Sequence, residues 1–508
     1  MTAFRVVGVV FSLVTLTLAL VAGEVAFRRI DGFTVFSTRL RPVAAAPVPK
    51  DSSRDTADAR YVAAVPLAHG VDPSWYKHDP PLHQPIAVTA AITKRYERYK
   101  GTADPTVAFY IWNRLGLQEY MCHSDTLRLY DGYDDFFVFD SPSGSQWPMF
   151  RHPPHAQPPG WFPTNRWGWR GPDVTLNKPP GTIRIAFLGS SKTIDSFGVP
   201  FSHIEYIGEW LTLWMRARHS PYSVDVINSS RAGIDEVQIA AILRDEVLPF
   251  EPDLVVDDGG NNFGPQLLLP IQARRLPRPE RAAGEAASWS LDRNSALSRR
   301  IHTAIVKLEH LDGSEPRKPV AAIEWPREVD EFNPDVGRKP LPMQLDSLLA
   351  IYDQMRGELD SQGGQFALPS WIVMARDGLK LDLSRDLALF NNLNWTYYPV
   401  TYAQTRRAAD FYNRVFKAYA ERNGLPFIDV ASAYPLDPDL FIDSVHLTEQ
   451  GARLEAWMYF QVIARWLDAQ IARGGLPRAP QHPREQHPGF QQTEYPLMTR
   501  AEILATCH

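Results

Sequence analysis

Short β-branched runs alternate with amphipathic stretches from residue 182 to about residue 470, and this alternation constrains the fold more than any other feature. The runs predicted as strands lie at residues 183–188, 223–227, 253–256, 370–374 and 426–430. The stretches predicted as helices lie near residues 203–218, 235–247, 341–360, 402–422 and 448–470. Strands that alternate with helices predict a parallel sheet with helices on both faces. Ligands of such sheets bind outside the carboxyl ends of the strands, so we expect the functional residues there.

The amino terminus carries an uncharged apolar run at residues 6–23, followed by Glu24 and two arginines. As a helix with a rise of about 1.5 Å per residue, this run would be about 27 Å long, close to the hydrocarbon thickness of about 30 Å. It predicts a signal anchor or signal peptide over residues 1–30. We expect a single anchor in the cell membrane, with the catalytic domain outside the cytoplasm. The small residues at 21–23 leave cleavage open, which would give a secreted or periplasmic protein.

The rest of the chain divides into a linker, an aromatic-rich region, a main domain and a tail. Residues 31–60 have the proline-rich and polar composition of a linker. Residues 61–180 are rich in aromatic side chains, which suit either a carbohydrate-binding surface or packing against the main domain. The main domain spans residues 181–472, and an arginine-rich insertion interrupts it at about 266–340. That insertion is either a lid or recognition surface for an anionic polymer, or a solvated appendage. The tail at 473–508 has an irregular composition.

Composition excludes some partners and leaves the cysteines undecided. A net charge of -5 over 508 residues shows no basic excess, so we expect no binding to nucleic acid. The histidines, such as His78 and His83, lie in proline-rich loops without the spacing of metal ligands, so we expect no metal and no cofactor. Cys122 and Cys507 can pair in an oxidising compartment or stay as two thiols, and the sequence leaves both open.

A candidate nucleophile follows the first predicted strand, in the sequence Gly189-Ser190-Ser191-Lys192-Thr193. A serine placed after a small residue at the carboxyl end of a strand can present its hydroxyl at the mouth of the sheet. A phosphate-binding loop would need glycine directly before Lys192 and again five residues earlier. Ser191 and Ala186 occupy those positions, so the pattern excludes a nucleotide site of that kind.

Other candidate groups follow the later strands. Gly233 comes after the second strand and Asn261 after the third, and their N–H groups are suited to an oxyanion hole. Asp443 and His446 follow the fifth strand, three residues apart, so that the carboxylate can orient the imidazole as a general base toward Ser191. Together they predict a Ser-His-Asp triad.

In their order and positions, these blocks resemble those of the SGNH hydrolase superfamily, the GDSL-like lipases and acylhydrolases, over about 290 residues from 181 to 470. The resemblance implies an exported membrane-anchored type, because residues 164–171 are similar to a lead-in of exported members. It assigns the nucleophile to Ser191 and the other triad members to Asp443 and His446. The oxyanion hole is assigned to Ser191, Gly233 and Asn261. The fold it implies is an α/β, three-layer α/β/α sandwich with a five-stranded, mostly parallel, flavodoxin-like sheet.

The sequence departs from that pattern at two positions. Ser190 precedes the nucleophile and Asn262 follows Asn261, where the superfamily has acids. Neither change removes a catalytic group, but both favour altered loop geometry. Asp257 and Asp258 raise a further concern, since a carboxylate that faced the oxyanion hole would oppose the developing negative charge.

The sequence therefore predicts an extracytoplasmic serine esterase that removes O-acyl groups, above all acetyl, from a glycan. The substrate would be an acylated carbohydrate or another ester, and the membrane partner would be reached through the N-terminal helix. One alternative is an O-acyltransferase that acts on an envelope polysaccharide with the same triad. Another is a catalytically silent glycan-binding or scaffold protein of the envelope.

Overall fold

The structure is a computed structural model of the chain, and it describes most of residues 181–472. The described residues are 2–30, 35, 59–82, 135–137, 162–195, 200–232, 234–259, 263–274, 295–298, 300–301, 313–318, 322–337, 341–383, 386–480, 497–499 and 505.

A parallel sheet of five strands forms the centre of the described main domain. Its strands are β2 (Thr182–Leu188), β3 (Ser223–Asn228), β4 (Leu254–Asp257), β5 (Gln365–Pro369) and β6 (Phe427–Ile428), in the spatial order β3-β2-β4-β5-β6. Every pairing is parallel, with Ile185 opposite both Val226 and Leu254. A separate antiparallel pair joins β1 (Asp135–Phe137) to β7 (Leu497–Thr499). The predicted α/β fold with a five-stranded parallel sheet is confirmed.

Helices cover the sheet because their apolar positions recur with the helical period and become buried. The described helices are α1 (Thr2–Ile30), α2 (His203–Ala217), α3 (Glu236–Ile242), α4 (Ile271–Arg274), α5 (Leu345–Asp360), α6 (Leu387–Asn391), α7 (Tyr402–Asn423) and α8 (Glu449–Ala472). Ser202, Asp235 and Thr401 each close a capping box at the start of α2, α3 and α7. Short 3-10 turns lie at Pro73–Lys77, Leu248–Phe250, Pro265–Leu268, Pro342–Gln344 and Pro438–Leu440, and π-helical turns at Leu243–Val247 and Asn392–Thr396.

The prediction for the fourth strand is wrong by five residues, a full strand length. Residues 370–374 were predicted as the strand, but β5 is Gln365–Pro369 and the following residues leave the sheet. The neighbouring strand β6 pairs only with Leu368 and Pro369, so no further ladder is available. Beyond it, Trp371 N donates to the Asn413 side chain and Met374 N donates to Ser444 O at 2.7 Å. The run at 370–374 is apolar because it is buried, and its backbone is hydrogen-bonded to Asn413 of α7 and to the loop that contains Ser444.

The described part of the aromatic-rich region packs onto the main domain. Tyr76 stacks on Trp210 of α2 at a ring separation of 6.1 Å and meets Trp457 of α8 edge-on at 5.7 Å. Ala68 N donates to Gln461 on α8. Among the aromatic residues of this region, four contact the core: Tyr61, Trp75, Tyr76 and Trp167. Five others lie outside the described residues: Tyr110, Trp112, Trp147, Phe150 and Trp161. For those that are described, packing accounts for the aromatic side chains.

Helix α1 contains the apolar run of the amino terminus. Near its end, Glu24 accepts hydrogen bonds from the backbone N–H of Ala296 and Leu297 and from the Ser295 hydroxyl, which ties α1 to part of the insertion. Across the described ranges, the structure holds no helix with both the length and the apolar character that crossing a membrane requires.

Candidate active site

The candidate nucleophile lies in a tight turn at the carboxyl end of β2. A Cβ at Gly189 would come within 1.9 Å of the Thr193 hydroxyl oxygen, so the turn requires glycine there. Residues 191–195 form turns rather than a helix, closed by a hydrogen bond from Ile194 N to Ser190 O at 2.9 Å. Helix α2 begins only at His203, so its N-terminus is not adjacent in sequence to Ser191. Ser191 is half-buried, whereas Ser190 and Lys192 on either side are buried.

The structure brings Ser191, His446 and Asp443 into one hydrogen-bonded chain. His446 Nε2 lies 2.9 Å from Ser191 Oγ, and His446 Nδ1 lies 2.7 Å from Asp443 Oδ2. Both distances are within the range of about 2.6 to 3.2 Å expected of a nucleophile and its general base. The predicted convergence of these three side chains at the carboxyl edge of the sheet therefore occurs, although Ser191 and His446 are 255 residues apart.

The polarity of the chain follows from the chemistry of its ends. An ionised carboxylate only accepts hydrogen bonds, so His446 Nδ1 carries the proton shared with Asp443 and Nε2 accepts from the Ser191 hydroxyl. Burial opposes the charge of Asp443. Hydrogen bonds from the His446 ring and from the backbone N–H of Val445 and His446 outweigh burial and hold the pKa of the carboxyl below its usual value. Asp443 is therefore charged at neutral pH, as the orienting member of a triad must be.

Asp443 and His446 lie in a short loop at residues 441–447, termed the catalytic loop, whose two ends pair with each other. Phe441 and Leu447 form an antiparallel bridge, and Ile442 N donates to His446 O at 2.8 Å. Asp443 Oδ1 accepts from Val445 N at 2.9 Å and from His446 N at 2.8 Å, which turns the chain back over the carboxylate. The three-residue spacing is thus fixed by the backbone as well as by the side-chain pair.

Residues from distant segments hold this loop, and sequence reasoning missed them. Ser444 donates its hydroxyl to the Asn392 side-chain oxygen and lies 3.1 Å from the Tyr397 hydroxyl. Its carbonyl accepts from Met374 N. The signal for Asn392 was weak, since it is one asparagine in the stretch Asn391-Asn392-Leu393-Asn394. Only the fold brings it to the loop.

Thr448 and Gly451, which follow His446 in the sequence, have clear roles at the start of α8. Thr448 is the N-cap, and its hydroxyl accepts from Gly451 N at 3.3 Å. A Cβ at Gly451 would lie 2.2 Å from Leu440 O. Glycine there lets the first turn of α8 rest directly against the catalytic loop.

The two other predicted oxyanion donors, Gly233 and Asn261, lie outside the described residues. Their neighbours are described. Arg231 N donates to Gly189 O at 3.2 Å, so the segment before Gly233 runs beside the nucleophile turn. Asp258 N donates to Leu188 O at 2.8 Å, which keeps the segment before Asn261 at the same edge. The oxyanion assignment of Ser191, Gly233 and Asn261 stays a prediction.

Asp257 and Asp258, the two acids before that segment, are buried in the protein interior. Asp258 is buried, with its carboxylate 3.1 Å from Lys192 Nζ and 2.8 Å from the Tyr459 hydroxyl, so cations and donors balance its charge. Burial, together with the nearby Asp258 charge, raises the pKa of Asp257 to about 7, although a hydrogen bond from Gly259 N opposes the rise. Asp258 therefore faces the protein interior and its cations.

The lead-in at residues 164–171 braces the nucleophile turn. Arg170 pairs with Glu205 at 2.8 Å and donates to the carbonyls of Ile194 and Asp195 at 2.9 and 2.8 Å. Its backbone also bridges to Asn228 at the end of β3. The sequence had pointed to this segment only through its resemblance, and the structure supplies a physical role for it.

Comparison with known proteins gave matches among solved structures alone. No family model matches the chain, and no curated protein matches its sequence. A GDSL-like lipase from Bacteroides thetaiotaomicron is 12% identical, covers 57% of this chain and 88% of its own, and has a TM-score of 0.26. An acetyl xylan esterase is 14% identical and covers 56% of this chain and 99% of its own, with a TM-score of 0.28. A variant of an acetyl xylan esterase from Geobacillus stearothermophilus is 14% identical and covers 60% and 100%, with a TM-score of 0.30.

These neighbours are of the class that the sequence blocks resemble. Their identities and TM-scores are too low to carry an argument. The fold therefore rests on the strand order of this chain, and the site rests on the distances between its own residues.

Proposed function

We propose that the chain is a serine esterase that hydrolyses O-acyl groups through an acyl-enzyme, with Ser191 as nucleophile, His446 as general base and Asp443 as its orienting acid. The observation that carries the proposal is the continuous chain from Ser191 Oγ through the His446 ring to Asp443. A catalytically silent scaffold would have no need of this alignment. The alignment therefore favours chemistry over a binding role.

The reaction has two halves, acylation and deacylation of Ser191, and the triad acts in both. Ser191 Oγ attacks the ester carbonyl carbon while His446 Nε2 takes the hydroxyl proton, and the carbonyl oxygen becomes an oxyanion. The Ser191 N–H, with Gly233 and Asn261, is the proposed set of donors to that oxyanion, each worth about 10² to 10³ in rate. When the intermediate collapses, the proton passes from His446 to the departing alcohol and the acyl group stays on Ser191. Water then repeats the sequence and releases the acid.

The substrate class that we propose is an acylated carbohydrate, with acetyl as the acyl group. The support is the resemblance of the sequence blocks to those of the GDSL-like acylhydrolases, together with Ser191, which is only half-buried at the edge of the sheet. The same acyl-enzyme can pass its acyl group to a sugar hydroxyl, which would make the chain an O-acyltransferase. Adding a sugar acceptor to a hydrolysis assay separates the two, because transfer produces an acylated sugar at the expense of free acid.

We also propose that the domain acts outside the cytoplasm. The support is the apolar run at residues 6–23 together with the exposed side chains of Leu16, Leu18 and Leu20 on α1. An acyl-glycan substrate of the envelope fits that location.

Reaction with a fluorophosphonate probe tests the proposal directly, because the probe labels a serine only when a base activates it. The wild type should be labelled, Ser191→Ala should not be, and Ser190→Ala should be labelled nearly as fast as the wild type. Equal loss in both variants, in folded protein, would reject Ser191 as the nucleophile. An unlabelled wild type would reject the serine-esterase proposal itself.

A further inference from the structure

Lys192 directly follows the proposed nucleophile, yet its side chain runs into the protein. Ser191 is half-buried at the site, whereas Lys192 is 2% exposed. A lysine is seldom buried unless it is paired. The residue therefore needs an explanation that the triad does not supply.

The Lys192 ammonium contacts two carboxylates. Nζ lies 3.1 Å from both oxygens of Asp258 and 2.7 Å from Glu455 Oε1. The ring of Trp371 lies 5.3 Å from Nζ, within the range of a cation–π contact. Burial would lower the pKa of Lys192, but the two carboxylates outweigh it and raise the pKa above its ordinary value. The side chain is therefore a cation at neutral pH.

The two carboxylates belong to the other segments that carry proposed catalytic groups. Asp258 directly follows β4 and leads into the segment that contains Asn261. Glu455 lies on α8, the helix that begins three residues after His446. The Thr193 hydroxyl adds a hydrogen bond to Asp258 O at 2.9 Å. The Lys192 ammonium thus joins the nucleophile turn to the end of β4 and to α8.

Neighbouring groups extend the cluster and add a second cation, His203. His203 Nδ1 lies 2.8 Å from Asp195, at the end of the nucleophile turn, and His203 Nε2 lies 3.4 Å from Asp258. Burial would lower the pKa of His203, but Asp195 and the other acids raise it to about 10. Two cations therefore face the carboxylates of Asp195, Asp258 and Glu455 in the interior.

Stability alone is a weak reason for such a cluster. Removing charges from water costs free energy, and well-packed apolar residues often serve a buried position equally well. What ion pairs add is a defined geometry, because an alternative arrangement would leave a charge buried without a partner. The place where defined geometry matters most is the proposed site, where a displacement of about 1 Å can cost about 10²-fold in rate.

We propose that Lys192 is a positioning residue, which locks the nucleophile turn to the end of β4 through Asp258 and to α8, the helix that follows His446, through Glu455. The inference rests on the proposed serine-esterase chemistry. Lys192 touches no reacting atom. It acts by fixing the backbone of its neighbour Ser191, so that Oγ stays within hydrogen-bond distance of His446 Nε2.

The chain offers a matched control at the opposite edge of the sheet. Lys178 is also buried, with Nζ 2.9 Å from Asp253, and lies just before the amino end of β2. Lys178→Met removes the lysine partner of the buried Asp253 carboxylate, and Lys192→Met removes that of Asp258 and Glu455. Both substitutions should therefore lower the melting temperature. Only Lys192→Met should slow the chemistry.

The experiment measures the rate of fluorophosphonate labelling, and kcat and KM for p-nitrophenyl acetate, well below the melting temperature of each variant. We expect Lys192→Met to lower the labelling rate and kcat by about 10- to 100-fold with KM changed less than about threefold. Lys192→Arg should recover part of the loss. Lys178→Met should keep both rates within about twofold of the wild type.

A second variant keeps the inference testable if Lys192→Met does not fold. Glu455→Leu removes the link to α8 but leaves the Lys192–Asp258 ion pair, and it should also lower kcat at nearly constant KM. Wild-type rates in folded Lys192→Met or Glu455→Leu, or an equal loss in Lys178→Met, would overturn the inference alone. A wild type that is never labelled would overturn the serine-esterase proposal and this inference with it.

Discussion

Gly451 stands so close to Leu440 that a Cβ would lie 2.2 Å from the Leu440 carbonyl oxygen. We expect Gly451→Ala to push α8 away from the catalytic loop, to lower stability by about 1 to 3 kcal/mol and to slow acylation. Gly357 is the control, because no atom beyond its chain neighbours and the nearby backbone of α5 lies within 4 Å of a Cβ placed there. Gly357→Ala should raise stability by up to about 1 kcal/mol and leave acylation unchanged. Chemical denaturation and probe labelling measure the two effects, and a neutral Gly451→Ala would contradict this packing.

Asp443→Asn tests the orienting role of the carboxylate. Asparagine has nearly the same shape but can present its amide to His446, which favours the wrong tautomer. We expect kcat to fall by about 10³- to 10⁴-fold, while KM changes little. Steady-state kinetics with an activated ester measure the loss. A decrease of less than about tenfold would mean that Asp443 is not the working acid.

Asn392→Ala tests whether the missed residue holds the catalytic loop. The substitution removes the acceptor of the Ser444 hydroxyl, so the loop that carries Asp443 and His446 should gain freedom. We expect kcat to fall about 3- to 30-fold, less than for a triad residue, because the loop keeps its contacts to Met374 and Tyr397. Asn423→Ala is a control, since the Asn423 side chain binds only Tyr419 O at the end of α7 among the described hydrogen bonds. Equal kinetics in both variants would contradict the role of Asn392.

Asp257 makes stability depend on pH. Its pKa is about 7 in the folded protein and near the ordinary aspartate value of 3.8 when unfolded, so between these values the folded state holds a proton that the unfolded state releases. The folded state therefore loses stability from this group as pH rises from about 4 to 7. Asp257→Asn removes the titration but keeps an acceptor for Gly259 N. The variant should gain stability relative to the wild type across that window, by on the order of a few kcal/mol. Urea denaturation at several pH values measures the difference, and a constant difference would contradict the prediction.

The proposed location is tested with a reporter that is active only outside the cytoplasm, fused after residue 60. We expect an active reporter, because an uncharged apolar run at the amino terminus is typical of an export segment, and a wash of the membranes at high pH then separates an anchored chain from a cleaved one. An inactive reporter would reject export. An active reporter in the soluble fraction would keep export and replace the anchor by a cleaved signal peptide.

The parts of the fold that depend on local pattern were predictable, and those that depend on distant partners were not. The order of strands and helices follows from periodicity, and Ser191, Asp443 and His446 follow from their places after strands. The fourth strand was misplaced because the run at 370–374 is apolar for burial, and nothing local reveals that β6 is too short to pair with it. Lys192 was considered only as a phosphate ligand, since its partner Glu455 lies 263 residues away. Long-range charge pairs of this kind leave no periodic signal.

The contact between α1 and the insertion sets an order of events for any proteolytic maturation of the chain. Gly23, the last of the small residues at 21–23 where a signal peptidase would cut, lies in a helix, and a Cβ placed there would be 3.7 Å from Leu297. A peptidase needs an accessible, locally unfolded segment, so the folded contact protects that bond. Cutting after Gly23 would also leave Glu24 with a new ammonium group beside the carboxylate that binds residues 295–297. In any such maturation, cleavage at this bond would compete with the docking of residues 295–297 onto α1.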